Sequence, residues 1–64
     1  METVRFYINR ISPDMCRIVP VDIRTQFRTI ADGGCICDIE TLLNEMQHIT
    51  TECAKIGFSA QFEV

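Results

Sequence analysis

From Ile39 to Ile56 the apolar residues recur every three or four positions: Ile39, Leu42, Met46, Ile49, Cys53 and Ile56, with Leu43 widening the row. A 3.6-residue repeat gathers these on one side of an α-helix, while Glu40, Glu45, Gln47, His48, Thr51, Glu52 and Lys55 point mostly away. A helix with one oily side must lay that side on another layer. In a chain of 64 residues, the remainder has to supply it. Asp38 is placed to cap the helix, its carboxylate accepting from the unpaired amides of the first turn. Glu40 adds negative charge where the helix dipole favours it. Gly57 is a natural stop, because glycine alone enters the left-handed conformation without steric penalty.

The flanking segments supply the second layer as strands. After the stop, Phe58, Ala60, Phe62 and Val64 alternate with Ser59, Gln61 and Glu63, the period of a half-buried strand. Near the start, Val4, Phe6 and Ile8 alternate with Arg5 and Tyr7. Ser12-Pro13-Asp14 then has turn chemistry, since proline presets one dihedral and small polar side chains bond the neighbouring backbone. Cys16 to Val21 is rich in β-branched residues, and Pro20, without an amide donor, places that strand at an edge or ends it. Residues 22–31 fit two periods. Ile23, Phe27 and Ile30 suit a helix face, but the threonines, isoleucines and phenylalanine favour a strand, and a strand is expected. A separation of four puts Arg24 and Arg28 on a common face in either case.

These elements define an α+β chain forming a single small domain over residues 1–64. The expected architecture is a three- or four-stranded, mainly antiparallel sheet with one long amphipathic helix on one face, in the order β-β-(β)-α-β. The opposite face would hold Arg5, Tyr7 and other arginines. A chain this short buries only about 60% of the surface that its unfolded form exposes. Yet 47% of its residues are apolar and its mean hydropathy is +0.11. A homodimer is therefore expected, because association buries apolar surface that the monomer cannot.

Charge is unevenly divided. Residues 1–31 hold five arginines against Glu2, Asp14 and Asp22, whereas residues 32–64 hold Lys55 against Asp32, Asp38, Glu40, Glu45, Glu52 and Glu63. The net charge of −3 opposes non-specific nucleic-acid binding, which needs many cationic contacts to phosphates. No apolar run approaches the ~20 residues of a membrane span, and METVRFYINR lacks the apolar core of a signal peptide. The expected setting is the cytoplasm, with reduced thiols.

DGGCICD, residues 32–38, has the oddest local composition. Asp32, Gly33 and Gly34 supply a tight turn, after which Cys35, Ile36 and Cys37 lead to the Asp38 cap. As zinc ligands, Cys35 and Cys37 are separated by one residue rather than the usual two to four, and Cys16 and Cys53 would have to complete the set from far away. Cys53 already has a place on the apolar row. A helix N-terminus would activate the Cys37 thiol, but Asp38 and Glu40 oppose this. Glycines before a helix can cradle phosphate, but Asp32, Asp38 and Glu40 would repel the anion. His48 falls on the polar side of the helix, with no partner that would make it a general base.

No catalytic group, metal or cofactor is expected, and the chain is read as a non-enzyme. The expected function is a small protein-binding or regulatory module, of a size and charge common in phages and mobile elements. Its surfaces would be an acidic helix bearing Glu45, His48 and Glu52, and a sheet bearing Arg5, Tyr7, Arg24 and Arg28. One alternative is a metal or thiol-redox protein using Cys16, Cys35 and Cys37. Another is a nucleic-acid binder whose sheet aromatics and arginines would stack on bases.

Overall fold

The computed structural model describes residues 2–31 and 36–64, which form a four-stranded mixed sheet with two helices on one face. The strands are β1 (Glu2–Arg10), β2 (Met15–Pro20), β3 (Ile36–Asp38) and β4 (Phe58–Glu63). A short helix α1 (Thr25–Ile30) follows β2. A 3₁₀ turn at Ile39–Thr41 leads from β3 into the long helix α2 (Leu42–Lys55). The turn expected at Asp32, Gly33 and Gly34, together with Cys35, lies outside the described residues.

The sheet order is β3-β2-β1-β4, with β1/β2 and β2/β3 antiparallel and β1/β4 parallel. The two edge strands therefore run the same way, and the chain must cross the sheet between them. The three strand spacings amount to about 14 Å. Fourteen helical residues rise about 21 Å. The long amphipathic helix is thus the connection as well as the cover.

Alternation in the sequence decides what the helices cover. Val4, Phe6, Cys16, Ile18 and Cys37 point to one side and are buried with Phe27, Ala31, Ile49 and Cys53. Phe58, Ala60 and Phe62 of β4 pack against this cluster. Phe62 stacks on Phe6 at 5.5 Å, and Phe58 meets Phe27 edge-on at 5.0 Å, geometries that add to simple burial. Gly57, at φ +87°, turns the chain from α2 into β4 as its position in the sequence requires. At the other turn, Ser12 Oγ accepts from the backbone N–H of Met15 at 3.1 Å. Pro20 is the last residue of β2, beyond Met15–Arg17 where β3 pairs, so its missing donor removes no bond on that side.

Several expectations are corrected. Residues 25–30 are helical rather than extended. The Asp22 carboxylate accepts from the Arg24 backbone N–H at 2.9 Å and turns the chain away from the sheet. One helical turn then aims Phe27 and Ala31 into the core, and their burial outweighs the strand propensity of the neighbouring threonines. The Asp38 carboxylate makes no capping bond. Asp38 is held in the ladder opposite Met15, and Thr41 Oγ1 instead donates to its carbonyl at 3.0 Å. The apolar row on α2 is only partly covered: Ile49 and Cys53 are buried, but Leu43 is 69% exposed and Ile56 46%.

Candidate functional site

The side of the sheet away from the helices is built from the other half of each alternation. The register sets Tyr7 between Val19 and Glu63, Arg17 between Asn9 and Ile36, and Arg5 beside Gln61. Among the described residues no helix or strand is laid over this face, and Tyr7 and Ile36 remain 43% and 51% exposed. Arg5 Nη1 donates to Glu63 Oε1 at 3.5 Å. So exposed a pair contributes little stability, but it fixes a cation and an anion side by side on the surface.

Arg5 and Tyr7 therefore stand where the sequence places them, whereas Arg24 and Arg28 do not lie on the sheet. Arg28 is exposed in the last turn of α1. The Arg24 guanidinium lies 4.9 Å from the Phe27 ring centre and 5.5 Å from that of Phe58. Its Nη2 donates to Asp22 Oδ2 at 2.8 Å and lies 3.7 Å from Glu2. The Arg24 side chain, followed by its backbone N–H, holds the Asp22 carboxyl below its ordinary pKa. Arg24 is thus engaged within the chain. Arg17, Val19 and Ile36 join the face instead. The first two follow from the alternation around Cys16 and Ile18. Ile36 has no such signal, because β3 is three residues long.

On α2, positions 45, 48 and 52 share a line along the helix. His48 is exposed, Glu45 and Glu52 are half-buried, and Lys55 Nζ donates to Glu52 Oε1 at 3.3 Å. On the flank beside β4, Leu43, Met46, Thr50 and Phe62 help line an open groove of about 510 Å³. Thr50 donates its hydroxyl to the Met46 carbonyl at 2.8 Å, a bond within the helix's own backbone turn.

Cys16, Cys37 and Cys53 are buried and present as thiols. Cys16 and Cys37 are directly opposed on β2 and β3, their sulfurs 3.6 Å apart. Among the described residues there is no group of three or more Cys, His, Asp or Glu positioned to hold a metal ion. Cys35, the remaining member of the sequence-derived set, lies outside them. Burial, followed by the adjacent Glu52 charge, raises the Cys53 thiol pKa. None of the described residues buries a polar or charged side chain.

No family model matches the chain, and neither a curated protein nor a solved structure matches it. Among the described residues no helix is long and apolar enough to cross a membrane.

Proposed function

We propose that the protein is a non-catalytic binding or regulatory module that works in the cytoplasm as a homodimer, joined through the open sheet face. The observation that carries this is the composition of that face: half-exposed Tyr7 and Ile36 lie among Arg5, Arg17 and Glu63 on the side of the sheet away from both helices. Exposed apolar side chains set among polar and charged ones in this way make up the mixed surface of an association face. The face carries both signs of charge, so two identical copies related by a two-fold axis can set cation against anion. An acidic peptide would meet Glu63, and a basic one the arginines. Pairing also leaves the line Glu45, His48 and Glu52 facing outward on both copies, where a basic protein segment can be held by two equivalent surfaces.

Sedimentation equilibrium at micromolar concentration tests the assembly. The account predicts twice the 7.3 kDa chain mass for the wild type, and the single-chain mass for a folded Tyr7→Glu or Ile36→Glu variant. A wild type that stays at the single-chain mass at 100 µM, or an assembly unaffected by both substitutions, contradicts it.

A further inference from the structure

Cys16 and Cys37 face each other across an antiparallel ladder, sulfur to sulfur at 3.6 Å, with Cys16 Sγ also 3.6 Å from the Cys37 carbonyl. We propose that this pair is a reversible modification site: a dithiol that low-molecular-weight disulfides, of which oxidised glutathione is the type, convert into a Cys16–Cys37 disulfide. The ladder has already done most of the positioning. In the same register, the Ile39 N–H donates to the Asp14 carbonyl at 3.0 Å, which makes Cys16/Cys37 a hydrogen-bonded type of pair. Such pairs hold their Cα atoms about 5.5 Å apart, near the commonest separation in disulfides. Both side chains point to the same side of the sheet, so the sulfurs can close the remaining gap by side-chain rotation, with the backbone in place.

Access is the second requirement. Both thiols are buried in the native sheet, but Cys37 belongs to a three-residue edge strand whose pairing spans only Met15 to Arg17 on β2. A short edge strand opens at lower free energy than the core. In the open form the Cys37 thiol loses its proton to solvent, and the thiolate attacks one sulfur of oxidised glutathione. The glutathione S–S bond breaks, a Cys37–glutathione S–S bond forms, and one glutathione thiolate leaves. The Cys16 thiolate then attacks Cys37 Sγ and displaces the second glutathione thiolate. Two protein thiols have lost two electrons and two protons, and one glutathione disulfide has become two glutathione thiols. The product ties β3 to β2 across a separation of 21 residues, which restricts the unfolded chain and holds the strand that leads into α2. Excess reduced glutathione reverses both steps.

The test equilibrates the full chain in glutathione buffers of increasing oxidised fraction, traps remaining thiols with N-ethylmaleimide, and reads intact mass, peptide maps and melting temperature. The expected product is a chain with no bond to a second copy, bridged Cys16 to Cys37, and carrying two maleimides where the reduced chain, with its four cysteines, carries four. It should melt on the order of 10 °C higher and return to the dithiol with dithiothreitol. Cys35→Ser should retain the bridge and Cys37→Ser should lose it. Cys16→Ser should stop at the glutathione adduct. A first bridge through Cys35 or Cys53, glutathione adducts that persist on the wild type, or no bridge even in oxidised glutathione alone would each overturn the proposal. The wild-type map decides the matter even if a serine variant fails to fold.

Discussion

Arg24 holds both carboxylate oxygens of Asp22 while its guanidinium lies 4.9 Å from the centre of the Phe27 ring. One side chain thus links the bend after β2, the start of α1 and the aromatic pair that joins α1 to β4. Replacing it with alanine removes the cation over two rings and leaves Asp22 without its strongest partner. Arg24→Ala should lower the midpoint of urea unfolding with its slope unchanged. Arg24→Lys should recover part of the loss, since an ammonium keeps the charge but not the planar fork.

The same contact makes an acid-side prediction. The folded pKa of Asp22 is depressed, so its contribution is present above the unfolded value of about 3.9 and is lost as pH falls through the folded one. Melting temperatures of wild type and Asp22→Asn should differ at pH 6 and converge toward pH 2. A constant gap across that range would mean that Asp22 acts through something other than its charge.

Gly57 offers a purely conformational test. A Cβ built there meets nothing within 4 Å, yet φ is +87°. Gly57→Ala should therefore cost about 1 kcal/mol from backbone strain alone. Chemical denaturation measures it, and a neutral or stabilising result would contradict the backbone conformation assigned to the turn.

Removing Gln61 to Val64 deletes the last three β1/β4 pairings and the Phe62 ring stacked on Phe6. Loss of a fully buried aromatic costs about 3–5 kcal/mol. The half-buried Phe62 ring contributes less, but its loss together with three strand pairings removes a large part of the small margin that holds such a domain. The truncated chain should show no cooperative melt, whereas Phe62→Leu should melt cooperatively at a lower temperature. A truncation that melts like the wild type would mean that β4 is dispensable.

Cys53 gives the alkaline counterpart. Its folded thiol keeps the proton to higher pH than the unfolded one, because burial and Glu52 disfavour the thiolate. Stability is then fully present below the unfolded value, about 8.5, and falls as pH rises through the folded one. Urea midpoints of the wild type should decline between pH 8 and 10, and Cys53→Ala, less stable throughout, should lose that part of the decline. An equal decline in both would place its source elsewhere.

The strands β1, β2 and β4 and the helix α2 were legible because each presents one period over six or more residues. Short elements were not. In β3 the alternation amounts to Cys37 between Ile36 and Asp38, which no periodicity can distinguish from a loop leading to a cap. In residues 22–31, strand propensity lost to the burial of Phe27 and Ala31, a tertiary term absent from local composition. The parallel pairing of β1 with β4 follows from the sheet order, on which alternation within a strand is silent. Arg5 and Tyr7 could be assigned to one face from their spacing. Arg24 could not be excluded from it, because its engagement depends on Asp22, Phe27 and Phe58 meeting through a bend and an edge strand.

The proposed pairing of two copies through the open sheet face is the central claim, and an isotope-filtered nuclear Overhauser experiment on a mixture of labelled and unlabelled chains tests it most directly. The account predicts contacts between copies from the Tyr7 ring to the methyl groups of Val19 and Ile36. Contacts between copies confined to Leu43 and Met46 on α2, or none at concentrations where the chain sediments as a dimer, would contradict it.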